Sequence, residues 1–109
     1  MIASVLVDSN FYIDRARQGV DPFVELAAAD SDLEFSTCGM IMVEVLRGVK
    51  HPHALKRFSS AFEVMIFIPS NNTVWHRAWR LAWEMDRRGL VIPVQDIIIA
   101  AHALQVEAA

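Results

Sequence analysis

One cysteine, Cys38, is all this chain carries, so no disulfide can form within it and an oxidising compartment is not implied. Long apolar runs are missing too, and no stretch approaches the roughly 18 uncharged residues of a membrane span. The start, Met1-Ile2-Ala3-Ser4-Val5-Leu6-Val7-Asp8, lacks a basic leader, and its apolar run is too short for a signal peptide. Nor is there an excess of positive charge. Ten Lys and Arg stand against 13 Asp and Glu, a net charge of −3, so overall charge does not hold nucleic acid to this protein. Any such contact must come from local basic clusters. No glycine-rich loop that would cradle a phosphate occurs, nor any internal repeat, low-complexity tract or linker. The expectation is a soluble, cytoplasmic protein.

What is present suits one domain, residues 1–109, with a substantial core: 54% of residues are apolar and the mean hydropathy is +0.30. Charged residues make up only 21%, which leaves apolar surface for a partner or a second copy of the chain to cover.

Val5-Leu6-Val7 is a short apolar run ending at Asp8-Ser9-Asn10, the pattern of a strand buried on both faces that stops at a polar corner. Phe11 to Gln18 predicts a helix stopped by Gly19. Asp21 can cap the next helix, Pro22 fits its first turn, and Phe23 to Ala29 supplies its apolar face. Leu33 to Thr37 predicts a second strand and Met40 to Val49 an apolar helix. His51-Pro52-His53 breaks the chain before a helix over Ala54 to Phe62. Val64 to Ile68 predicts a third buried strand, closed by Pro69. Ser70 to Thr73 offer N-caps for a long helix reaching Arg88, with Gly89 beyond it, and Pro93 opens the last helix. Strands separated by helices imply an α/β fold, a parallel sheet covered on both faces. Such sheets bind ligands outside the carboxyl ends of their strands.

Three acidic residues fall where that edge would gather them. Asp8 follows the first strand directly, although Asp-Ser-Asn is also ordinary turn chemistry. Glu44 interrupts Met40-Ile41-Met42-Val43-Glu44-Val45-Leu46. A carboxylate in so apolar a helix reaches solvent at its rim or meets a cation, and Arg47 one turn on offers a structural partner. Asp96 lies in the first turn of the last helix, where the helix dipole favours it without any function. Crowded together, three carboxylates repel unless a cation joins them. Hard divalent ions such as Mg²⁺ prefer carboxylate oxygens, and with one bound the cluster can polarise a phosphate and acidify a water.

The segments Val5-Leu6-Val7-Asp8-Ser9-Asn10, Val43-Glu44-Val45-Leu46-Arg47-Gly48 and Arg88 to Leu104 together resemble the PIN-domain family, most closely the ribonuclease toxins of VapBC-type toxin–antitoxin pairs. The resemblance implies a three-layer α/β/α fold with a short central parallel sheet. It implies Mg²⁺- or Mn²⁺-dependent hydrolysis of RNA phosphodiesters, with Asp8, Glu44 and Asp96 as catalytic and metal-binding residues. Ser9 and Asn10 match the supporting polar positions. Products with a 5′-phosphate and a 3′-hydroxyl are implied, with no covalent enzyme intermediate. An antitoxin protein and a homodimer are the partners expected beside the RNA.

One departure stands out. The family normally continues past the last helix into two short strands bearing a further Asp or Asn, whereas this chain ends at Gln105-Val106-Glu107-Ala108-Ala109. The expectation is therefore a C-terminally truncated version without the final strands and the fourth acidic position. Glu107 is no substitute, being about three helical turns, roughly 16 Å, beyond Asp96. Without those strands Val5 to Val7 would present an open edge, unless another copy covers it.

Other features admit more than one account. Trp75, Trp79 and Trp83 form a stripe every fourth residue, about 100° from a second stripe of Val74, Ala78, Leu81 and Met85. The tryptophans are either part of a broad core face or a self-association surface; base stacking is a third account. The four histidines lack zinc spacing and are expected at the surface or partly packed. Lys50, His51, Lys56 and Arg57 form one basic run, and Arg77, Arg80, Arg87 and Arg88 another. They are solvated faces, or one of them lines a phosphate path. Cys38 reads as a small buried hydrophobe. Two other functions compete with the nuclease: a catalytically inactive PIN-like binding module, and a small-molecule phosphohydrolase, which the missing glycine-rich loop disfavours.

Overall fold

The computed structural model describes residues 3–29 and 32–107. Three strands, β1 (Ala3–Leu6), β2 (Leu33–Cys38) and β3 (Ile66–Ile68), alternate with six helices among the described residues. These are α1 (Ser9–Arg17), α2 (Pro22–Ala27), α3 (Gly39–Leu46), α4 (Pro52–Glu63), α5 (Asn72–Arg87) and α6 (Val94–Glu107). The sheet is wholly parallel in the order β1-β2-β3. Ala3 sits opposite Leu33, and Ser36 opposite Ile66, so all three strands run toward the same carboxyl edge.

Local signals set most boundaries. Gly19 and Gly89 end α1 and α5 with φ of 74° and 78°, a left-handed turn that other residues resist. The Asp21 side chain accepts the Phe23 amide at 2.9 Å, and Pro22 opens α2. Asn71 accepts the Val74 amide at 3.0 Å to cap α5. Pro52, expected to break the chain, instead starts α4, with His51 as its N-cap residue. Proline's missing N–H costs nothing in a first turn.

Helix α1 packs on α2 and α3, and α3 packs on α4. Helix α6 packs on α5 and touches α3, β1 and β3. The core has two parts. Tyr12, Phe23, Phe58 and Phe62 form an aromatic cluster with Cys38, Ile41, Val45, Ile68 and Ile99. Phe23 meets both Phe58 and Phe62 edge-on, at 5.1 and 5.3 Å between ring centroids. Burial pushes the Tyr12 hydroxyl up to about 12, and that hydroxyl donates to Met65 Sδ at 3.8 Å. The second part, between α5 and α6, is aliphatic: Val74, Ala78, Ile97, Ile98 and Ala101.

Two strand expectations need correction. Val5, Leu6 and Val7 are only half-buried, and β3 is shorter than expected, with Ile66 and Phe67 exposed. Both strands are edges of a three-stranded sheet, and an edge strand is covered on fewer sides than a central one.

Candidate functional site at the carboxyl edge of the sheet

Asp8 leaves β1 and takes the N-cap position of α1 in extended backbone conformation, yet its side chain makes no capping hydrogen bond. A capping carboxylate is ordinarily worth about 1 kcal/mol to a helix. Here that gain is forgone, and the carboxylate stands beside Ser9 instead. The Ser9 hydroxyl, buried in the first turn of α1, lies 3.3 Å from Asp8 Oδ1 and 3.1 Å from Glu44 Oε1. Since α1 packs against α3, a residue 35 positions away arrives at the end of β1. Glu44 is half-buried and turns to Ser9; among the described residues it forms no ion pair with Arg47.

A hydroxyl has one hydrogen, so Ser9 cannot fully serve two carboxylates at once. Two acids within about two hydrogen-bond lengths therefore share a single donor, an arrangement short of positive charge. Hard oxygen donors of this kind suit Mg²⁺ or Mn²⁺, which take one or two protein carboxylates and complete their shell with water and substrate phosphate. The donor set fits such an ion.

Asp96 enters from a third element. It lies exposed in the first turn of α6, its amide donating to the Pro93 carbonyl at 3.1 Å. The structure brings Asp8 and Glu44 together through Ser9. Among the described residues, no three His, Cys, Asp or Glu are grouped closely enough to hold a metal ion. Asn10 is exposed one residue beyond Ser9. Glu107 ends α6, far along the same helix from Asp96.

An open groove of about 680 Å³ runs from Glu44 between α1, the end of α3 and the start of α4. Its floor includes Tyr12 and Phe58, while Arg17, Arg47 and Lys50 bring positive charge to its sides and His51 lines it with them. The basic run at 50–57 thus divides. Lys50 and His51 line the groove, and Arg57 pairs with Asp21 at 3.1 Å.

The sequence did not signal one polar pair at this edge. His102 was expected at or near the surface; it is fully buried in α6. Its Nδ1 lies 2.7 Å from the Ile98 carbonyl, and its Nε2 2.6 Å from the Ser70 hydroxyl, just past β3. The carbonyl can only accept, so Nδ1 carries a proton and donates. The pair ties α6, which bears Asp96, to the end of β3. A histidine at one helical position does not reveal which face that position will occupy. His51, His53 and His76 are exposed as expected. Cys38 is buried as expected, and burial raises its thiol above the ordinary range.

No protein-family model matches this sequence, and no curated protein matches it significantly. Solved structures do. The chain superposes on a chain of VapBC2 from Rickettsia felis bound to a DNA fragment from their promoter, with a TM-score of 0.76 and 16% identity. That match covers 96% of this chain and 83% of that one. The 2.2 Å structure of VapBC-1 from nontypeable Haemophilus influenzae gives a TM-score of 0.73 at 15% identity, covering 96% and 82%. At these identities the likeness is one of fold. The α/β architecture expected from the resemblance, a VapC-like PIN fold, is the one this chain adopts.

Proposed function

We propose that this chain is a Mg²⁺- or Mn²⁺-dependent endoribonuclease, the toxin of a cytoplasmic toxin–antitoxin pair, with Asp8, Glu44 and Asp96 as its acidic residues. The observation that carries the proposal is the Asp8–Ser9–Glu44 arrangement. An N-cap aspartate forgoes its cap and shares one hydroxyl with a glutamate delivered from another helix. No stability argument recommends that geometry, since the cap is forgone and like charges are brought close.

In this scheme Asp8 and Glu44 hold the ion. When bound, the ion polarises the scissile phosphate and makes water a better nucleophile. Ser9 keeps both carboxylates turned to the same point, and Asn10 supports their shell. Asp96, at the start of α6, completes the acidic side once RNA brings its phosphate into place. Lys50, Arg47 and Arg17 offer the backbone of the RNA a basic path along the groove. A segment of antitoxin lying in that groove would reach Glu44 and exclude the substrate.

The test is cleavage of a mixed single-stranded RNA pool by the purified chain, with Mg²⁺, with Mn²⁺ and with chelator. Metal-dependent products bearing 5′-phosphates, lost in Asp8→Asn and Asp96→Asn, are expected. Metal binding by calorimetry separates site from activity, and Glu44→Gln should weaken it.

A second reading has its own observation. Among the described residues Asp8 and Glu44 meet without a third acid grouped beside them, which favours a catalytically inactive PIN-like binding module. If the chain neither binds Mn²⁺ nor cuts any RNA in the pool, that module replaces the nuclease.

A further inference from the structure

Ser70 and His102 form a second polar pair at the carboxyl edge, and the acidic residues take no part in it. Ser70 follows β3 and lies exposed, two residues before α5 begins. His102 is fully buried in α6. Between them the serine Oγ stands 2.6 Å from Nε2, a close approach for a hydroxyl and a ring nitrogen. The other ring nitrogen, Nδ1, is 2.7 Å from the Ile98 carbonyl one helical turn back. Hydroxyl, imidazole and a group that orients the imidazole thus stand in a chain. A carbonyl has no proton to give, so Nδ1 carries one and the neutral ring turns the Nε2 lone pair to the hydroxyl. That is the tautomer a general base requires, and the pattern in which serine hydroxyls become nucleophiles. A partner needed only to satisfy the buried imidazole would be buried with it. Ser70 is instead at the surface, where a reagent can approach it.

We propose that Ser70 is a nucleophile, with His102 as its general base, and accepts an acyl group from an activated acyl donor such as a thioester. The serine Oγ attacks the donor's carbonyl carbon while His102 Nε2 takes the hydroxyl proton. The bond from that carbon to sulfur then breaks, and Nε2 passes its proton to the departing thiolate. An ester on Ser70 and a free thiol are the products. The Ile98 carbonyl keeps hold of the ring while it carries the extra proton.

Negative charge that gathers on the carbonyl oxygen during the attack has donors close by in the chain. Asn72 and Thr73 open α5, and the Asn71 side chain caps only the Val74 amide. The amides of Asn72 and Thr73 have no acceptor among the described residues. Free amides beside a nucleophile are the donors that stabilise such an oxyanion. None of this draws on Asp8, Glu44 or Asp96, so it stands or falls apart from the nuclease reading.

The experiment treats the full chain with p-nitrophenyl acetate, an activated acyl ester, in the presence of chelator. A burst of one p-nitrophenolate per chain is expected, with a single acetyl group located on Ser70 by peptide mass mapping. Ser70→Ala, a surface change, should lose that acetyl and slow the burst about tenfold or more, with unchanged far-ultraviolet circular dichroism. His102→Gln should slow acetylation of Ser70 by a similar factor, because glutamine can still bond the hydroxyl but cannot take its proton. If His102→Gln does not fold, Ser70→Cys serves in its place. Its new thiol, beside the imidazole, should react with iodoacetamide about tenfold faster in the folded chain than in the urea-unfolded one. Acetyl groups spread over lysines and the exposed histidines, with Ser70 bare, overturn the proposal. So does acetylation of Ser70 that persists unchanged in His102→Gln, or a thiol at that position that is no faster when folded. The pair would then be only a structural tie between α6 and β3.

Discussion

Two aspartates begin helices in this molecule, and they do opposite things. At the start of α2, Asp21 accepts the Phe23 amide at 2.9 Å and an Arg57 nitrogen at 3.1 Å. Burial works against its charge, but the Arg57 guanidinium and the backbone amides outweigh that and hold its carboxyl below the usual range. At the start of α1, Asp8 occupies the same kind of position and leaves its helix uncapped, facing Glu44 across one shared hydroxyl. One carboxylate is spent on stability and is fully partnered. The other is held open. Position in a helix is the same for both; what differs is whether a cation from the protein has been supplied.

That contrast can be broken most forcefully at Asp8. On the proposed nuclease function, Asp8→Asn should cut metal-dependent RNA cleavage by on the order of 100-fold or more. The same variant should be as stable as the parent or more so, because asparagine caps as well as aspartate and the repulsion toward Glu44 is gone. A loss of activity accompanied by an equal loss of melting temperature would make Asp8 a structural residue like Asp21. Next in size, Asp21→Ala should lower stability by about 1 to 2 kcal/mol in urea denaturation while leaving cleavage unchanged. If activity falls with it, the two sites are coupled in a way the fold does not suggest.

Glu44→Gln sharpens the comparison from the other side. It should raise the melting temperature slightly, by the equivalent of up to about 1 kcal/mol, while weakening Mn²⁺ binding in calorimetry. A drop in stability would mean that Glu44 is already satisfied by Ser9 alone. The smallest effect is in acid. Asp21 has its folded-state pKa below its unfolded one, so its stabilisation is fully present above about pH 4 and is lost as pH falls through the lowered folded value. Urea midpoints of Asp21→Asn and the parent should therefore converge as the pH is lowered through that window, with the parent ahead only above it.

Much of this was legible in the sequence, for reasons particular to each residue. Gly19, Asp21-Pro22, Asn71 and Gly89 mark helix ends because caps and left-handed turns act on backbone only a few residues away. Ser9 was legible as a supporting residue for Asp8. That it also serves Glu44 was not, since 35 residues separate the two and only the packing of α1 on α3 joins them. Nor did the continuous apolar run from Val64 to Ile68 reveal an edge strand. Apolarity marks a strand but not its rank in the sheet. His102 and the tryptophans make the same point in opposite directions, a polar ring fully buried and three indoles left out.

By itself, then, the sequence determined an alternation of strands and helices, with Asp8 after the first strand, Glu44 within an apolar helix and Asp96 in the first turn of the last one, through signals carried by neighbouring backbone. The tertiary structure decided which of those acids meet, which N-cap is withheld from its helix, and which side of α5 is spent on the core. Those outcomes depend on contacts between residues far apart in the chain, and their geometry exists only once the helices have packed on the sheet.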